Sequence, residues 1–199
     1  MKIIAIAGGS GAGKSTLTYK LIDSDPETFE VIHLDDYQKW KTDPDLPMVG
    51  EMANFDHPDV IQWQKLIEDI KSLSKGRNVE VLTWGQRPDV DYSARTQRVN
   101  REIIPKKILI VDGYLSLWNP ELRSLYDRKY FLDLAEDKRL NRRNKFIYPE
   151  YRDQVLIPMH NKYIEPTKEY ADLIINSENL DAKQIYLNVI EDLKIENLY

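Results

Sequence analysis

Gly8 to Ser15 read GGSGAGKS, a full match to G-x-x-x-x-G-K-[ST], directly after the apolar run Ile3 to Ala7. The spacing is that of a phosphate cradle, the P-loop. Its small residues Gly8, Gly9, Ser10, Gly11, Ala12 and Gly13 let the backbone wrap so that N–H groups point at a β-phosphate, and the following helix adds its positive N-terminal dipole. Lys14 is then placed to reach the β- and γ-phosphates and the Ser15 hydroxyl to ligate Mg²⁺, with Thr16 completing the nucleotide-binding stretch. Leu109-Ile110-Val111-Asp112-Gly113 is an apolar strand ending in a carboxylate, the form of a second element that binds Mg²⁺ through Asp112, directly or through water. Alone it reads equally as a strand ending in an Asp-Gly turn; beside GGSGAGKS it reads as a metal site for a nucleoside triphosphate.

Holding a nucleotide is not a reaction, so an acceptor site is required. His33-Leu34-Asp35-Asp36-Tyr37 places two carboxylates where a second strand runs out, the edge at which open α/β sheets present ligands. One of them could orient or deprotonate an attacking hydroxyl, and these residues alone leave open that both acids cap a turn. Arg139, Arg142 and Arg143 fall at i, i+3 and i+4, so on a helix they share a face, and a cationic face near a transferring phosphoryl group offsets developing charge. Lys145 and Arg152 are candidates for the same mobile cover. The three histidines, His33, His57 and His160, lack metal-ligand spacing, and no G-x-S-x-G occurs.

The elements that must position these residues follow from periodicity. Ile3 to Ala7, Glu30 to Leu34, Lys107 to Val111, Tyr130 to Leu134 and Asp172 to Ile175 are short apolar runs alternating with helical patterns, which predicts a parallel sheet covered by helices. Pro58 opens a predicted helix whose stripe runs Val60, Trp63, Leu66, Ile67, Ile70 and Leu73 before Gly76 ends it. Ala182, Ile185, Tyr186, Val189, Ile190 and Leu193 trace a second stripe near the C-terminus. Asn78 to Arg101 is less regular and is read as a small hairpin or flap, opening at Gly85 and Pro88 into a loop.

Length and composition bound the reading. The 199 residues, 42% of them hydrophobic, suit one domain with a sizeable core. With no cysteine, disulfides, Cys-based zinc sites and thiol catalysis are excluded, which fits a reducing, cytoplasmic setting. The formal net charge of -5, without blocks of like charge, argues against nucleic acid or an anionic membrane surface as partner. The five-residue apolar stretch near the start runs straight into the glycine loop and is read as neither signal peptide nor membrane span. These residues leave open whether the chain works alone or as a homo-oligomer.

Taken together, GGSGAGKS, HLDDYQKW at His33 to Trp40, NFDHPD at Asn54 to Asp59, LIVDGYL at Leu109 to Leu115, RLNRR at Arg139 to Arg143 and PTKEYADLII at Pro166 to Ile175 resemble the uridine kinase family, with its phosphoribulokinase and nicotinamide riboside kinase relatives. The resemblance runs most of the chain. It implies a P-loop NTPase fold of the α/β class: a three-layer sandwich with a mainly parallel sheet, a small flap and a helical lid, in a single domain over residues 1–199. It implies that Asp35 is the catalytic carboxylate that activates a nucleoside 5′-hydroxyl and that Asp56 grips the ribose hydroxyls, although Asp56 also reads as an N-cap for the helix at Pro58. Arg143 matches a family arginine near the ribose and phosphates, Asp112 the metal-strand acid, and Arg139 and Arg142 are placed with the ATP; Tyr37 and Trp84 join the substrate-binding set. Where the family commonly carries Tyr-Asp-Phe and then a histidine against the pyrimidine, this chain has Trp84-Gly85-Gln86-Arg87-Pro88-Asp89, and its segment from Lys145 to Arg152 is shorter than the usual lid.

The function implied is an ATP- and Mg²⁺-dependent kinase that phosphorylates a primary hydroxyl, with uridine or cytidine as first acceptors. Another acceptor such as nicotinamide riboside, or a nucleotide-dependent regulatory module, is the alternative. A GTPase is disfavoured: Asn144-Lys145-Phe146-Ile147 lacks the Asp of N-K-x-D, and Asp112 is followed by Gly113, Tyr114 and Leu115 instead of D-x-x-G.

Overall fold

A computed structural model describes residues 1–83, 98–143 and 148–199. Five apolar runs form one sheet: β1 (Lys2–Gly8), β2 (Phe29–His33), and further along the chain three more strands. Between β2 and these lie a two-stranded ribbon, β3 (Met48–Val49) with β4 (Met52–Ala53), and a hairpin, β5 (Val79–Thr83) antiparallel to β6 (Val99–Ile103). The remaining sheet strands are β7 (Ile108–Asp112), β8 (Arg128–Asp133) and β9 (Leu173–Asn176). Their order is β2-β7-β1-β8-β9, every pair parallel. All five strands expected from the apolar runs are there, with the doubly covered, near-continuous hydrophobicity that parallel sheets need.

Alternation along each strand separates two cores. Ile3, Ala5 and Ala7 of β1 and Leu109 and Val111 of β7 face one side, with α2 (Trp63–Ser74) and the hairpin. Ile4, Ile6, Ile108 and Ile110 face the other, with α1 (Lys14–Ser24) and the C-terminal helix Ala182–Ile195. That last helix starts on a reciprocal cap: Asp181 accepts from the N–H groups of Lys183 and Gln184 while Gln184 accepts from Asp181 N–H.

The helix expected from Pro58 is divided. Pro58–Val60 forms a single tight turn, the chain extends at Ile61, and α2 begins only at Trp63. Tertiary pairing overrides the helical period here, because Lys39 N–H donates to Val60 O and Gln62 N–H to Tyr37 O, pulling the backbone out of helix. The N-cap of the turn is His57, whose Nδ1 accepts Asp59 N–H at 3.1 Å; Asp56 is not the cap.

After β7 the chain makes a short helix, α3 (Pro120–Arg123), then β8 and α4 (Glu136–Arg143). Residues 149–170, called α5 below, are one succession of helical turns of changing pitch. Two wide-turn stretches, Arg152–Leu156 and His160–Ile164, hold the residues four before Pro158 and Pro166. A proline has no N–H for the i−4 carbonyl and its ring crowds it, which accounts for the widening. The C-terminal helix is α6. No helix of the described residues is long and apolar enough to cross a membrane.

Candidate active site

The glycine loop joins β1 to α1. Gly11 has φ +85°, and a Cβ there would lie 2.5 Å from the Arg139 carbonyl oxygen, so both conformation and space demand glycine. Lys14, the first residue of α1, folds back and donates to Gly9 O at 3.1 Å. Burial lowers its pKa, opposed by the carboxylates of Asp112 and Asp35 that it faces.

Parallel register sets His33 and Asp112 side by side at the ends of β2 and β7. The Asp112 carboxylate is almost fully buried, its Oδ2 3.2 Å from His33 Nδ1 and 3.4 Å from Ser15 Oγ. His33 Nε2 in turn meets Tyr19 Oη at 2.9 Å, which fixes the imidazole. Asp112 Oδ1 is buried with no hydrogen-bond partner among the described residues. An orphaned carboxylate oxygen beside a serine hydroxyl fits Mg²⁺, which takes one or two protein oxygens and completes its shell with phosphate and water. No group of three or more His, Asp or Glu side chains that could cage a metal occurs among the described residues.

Asp35 stands on a tight helical turn, Leu34–Tyr37, immediately after β2. At three residues per turn Asp35 and Gln38 share a face, and both line the cavity in front of Lys14. Tyr37 is carried to the opposite side. It is 3% exposed in the core and donates to Asp69 Oδ2 of α2 at 2.8 Å, so the substrate-binding place given to it from the sequence is not where the fold puts it. Burial, and next the nearby Asp112, raise the Asp35 pKa, with Lys14 and His33 opposing.

Asp56 faces the same cavity from the β4–α2 connection. Its N–H donates to Asn54 Oδ1 at 3.2 Å and its Oδ2 accepts from Tyr151 Oη at 2.7 Å. Burial pushes its pKa up to about 6, with Asp35 adding to the rise and the Tyr151 bond, Arg143 and Lys14 resisting it.

The arginine face of α4 turns towards the glycine loop. Arg142 Nη1 donates to Gly11 O at 3.3 Å, and Arg142 and Arg143 both line the cavity. Arg143 Nε is buried without a partner among the described residues. Arg139 does not line the cavity: it is 4% exposed, its Nε donates to Leu134 O at 3.0 Å, and its guanidinium packs with His160 against Gly9. There it buttresses the outside of the loop. His160, buried beside Arg139 and Lys14, has its pKa lowered to about 4 and is neutral.

These groups surround one cavity of about 570 Å³. Of the residues singled out from the sequence, Ser10, Gly11, Gly13, Lys14, Ser15, Thr16, Asp35, Asp56, Asp112, Arg142 and Arg143 line it, while Gly8, Gly9 and Ala12 support the loop behind. Trp84 and Lys145 lie outside the described residues. The structure adds His33, Gln38, Phe55, Tyr114 and Tyr151. Phe55 and Tyr114 sit beside the acids of NFDHPD and LIVDGYL, a signal the sequence held; Tyr151 is 95 residues from Asp56 and no local pattern announces their meeting.

A family model described as Phosphoribulokinase / Uridine kinase family matches residues 3–146. A uridine kinase of Chlamydia pneumoniae is 36% identical over 211 residues, covering 99% of this chain and 90% of that protein. A uridine kinase of Macrococcus caseolyticus is 36% identical over 187 residues, covering 87% and 86%. Among solved structures, a possible uridine kinase from Bacillus stearothermophilus shares the fold with a TM-score of 0.62 at 16% identity over 88% of each chain. Shikimate kinase from Acinetobacter baumannii does so with a TM-score of 0.56 at 15% identity, covering 100% and 96%. The chain belongs to the phosphoribulokinase and uridine kinase family.

Proposed function

We propose that this protein is an ATP-dependent nucleoside kinase that transfers the γ-phosphoryl group to the 5′-hydroxyl of uridine or cytidine. The observation that carries the reading is the shared cavity, in which the Lys14 end of the glycine loop and the Asp35 carboxylate face each other. A binding module would need the loop but not the acid.

The loop N–H groups and Lys14 hold the triphosphate, and Ser15 and Asp112 would hold Mg²⁺, which when bound neutralises phosphate charge. Asp35 orients the acceptor hydroxyl and takes its proton as the new O–P bond forms and the bond to ADP breaks. Its pKa, raised by burial and by Asp112, makes it a better base than an ordinary carboxylate, while the nearby Lys14 opposes that rise by favouring the ionised form. Arg142 and Arg143 offset the charge that spreads over the transferring group. Asp56 and Arg143 hold the ribose hydroxyls, so the 5′-oxygen is presented at a fixed distance and not left to diffuse.

Purified protein with ATP and Mg²⁺, assayed for ADP release and for product by mass spectrometry, should show turnover that depends on uridine or cytidine. A panel of nucleosides, nicotinamide riboside, pantothenate and sugars from which no phosphorylated product emerges would overturn the kinase reading.

A further inference from the structure

The peptide Asn54 to Asp56 is clamped between two phenols. On one side Tyr114 Oη donates to Phe55 O and itself accepts from Gln38 Nε2 at 3.0 Å. On the other, Tyr151 Oη accepts Phe55 N–H at 3.2 Å and donates its single proton to Asp56 Oδ2 at 2.7 Å. Asp56 Oδ1 takes no hydrogen bond from the described residues, and Asp35, Asp56 and Tyr151 line one cavity. A phenol that donates to the carboxylate and accepts from the adjoining amide can satisfy both only in one position, so it fixes the carboxylate rotamer and ties α5 to the acceptor loop.

We propose that Tyr151 is the acceptor-positioning residue of this enzyme: by occupying Asp56 Oδ2 it turns Oδ1 to the acceptor hydroxyls and makes acceptor affinity depend on where α5 sits. The inference rests on the nucleoside kinase reading and adds to it a residue supplied from outside the acceptor loop. Tyr151 also acts on charge. The groups facing Asp56 are Lys14 from α1, Asp35 from the turn after β2, Tyr114 after β7, Arg143 from α4 and Tyr151 itself. Of those that favour the ionised carboxylate, the Tyr151 bond is the strongest, so without it Asp56 takes up its proton at higher pH.

The test is Tyr151→Phe beside Asp56→Asn, with full steady-state kinetics for uridine and for ATP across pH. Tyr151→Phe should raise the acceptor KM about tenfold, the lower end of what a hydrogen bond to a charged group contributes. kcat should change far less, the KM for ATP should stay the same, and the acid limb of kcat/KM for the acceptor should move to higher pH. If Asp56→Asn weakens acceptor binding while Tyr151→Phe keeps the wild-type KM and acid limb, the role of Tyr151 is refuted and the kinase reading stands. Equal losses for ATP and acceptor would show a packing role and refute it too. A wild-type protein that phosphorylates no acceptor sinks the kinase reading, and this inference with it.

Discussion

Asp56→Asn should make the ligand-free protein more stable at neutral pH while making it a poorer enzyme. Burial, assisted by Asp35, pushes the Asp56 carboxyl from 3.8 to about 6. A carboxyl that binds its proton more tightly when folded gives the native state more protons than the unfolded chain between about pH 4 and pH 6, so stability falls as pH rises through that window. At 1.36 kcal/mol per pH unit, the ionised Asp56 costs ~3 kcal/mol at pH 7.5 at the upper bound. Its opening to cavity water screens part of this, leaving ~1–3 kcal/mol. Asparagine keeps an oxygen for the Tyr151 hydroxyl but carries no charge to desolvate. Urea unfolding at pH 7.5 should therefore show the variant more stable by that margin, or its Tm higher by roughly 2–4 °C for each kcal/mol. The gap should close below about pH 4, where both side chains are neutral. In the same preparation the acceptor KM should rise, since an amide is a weaker partner than a carboxylate for ribose hydroxyls. A variant no more stable than wild type at pH 7.5, or a gap that does not narrow on acidification, would refute the argument that Asp56 is held ionised at the expense of stability.

Asp35→Asn should lower kcat by roughly 10²–10⁴, the usual contribution of a general base, with ATP binding by calorimetry retained. Gly113→Ala tests the support beneath that base. A Cβ at Gly113 would overlap Leu34 Cβ and lie 2.8 Å from Leu34 Cδ2, so the turn carrying Asp35 must move. The expected cost is ~1–3 kcal/mol of stability by denaturant unfolding, with a fall in kcat that exceeds any change in the KM for ATP.

The strands were legible because each is a local event. An apolar run such as Ile108 to Val111 has no stable place except a sheet covered on both faces, and five such runs between helical patterns leave a parallel sheet as the simplest arrangement. The glycine loop was legible for the same reason, since its backbone conformation is written in its own residues. The i, i+3, i+4 spacing of Arg139, Arg142 and Arg143 likewise puts the three on a common helical face by local geometry alone.

What that face meets was a tertiary matter: Arg139 is taken up behind Gly9, while Arg142 and Arg143 reach the cavity. In HLDDYQKW the residue types did not disclose a tight turn, and that turn decides that Asp35 and Gln38 look into the cavity while Tyr37 looks at Asp69. The division of the helix after Pro58 came from backbone hydrogen bonds to a distant loop, which outweighed a correct local period. The Asp112 to His33 contact depends on register between strands 79 residues apart, and the Tyr151 to Asp56 contact on where a proline-widened helix comes to rest. The sequence alone determined the sheet, the phosphate loop and the chemical character of the candidate acids and arginines, because these follow from short-range sterics and periodicity. Only the tertiary structure decided which side chains share the cavity and how far their pKa values move, because burial and charge proximity are sums over neighbours that the chain brings together only when folded.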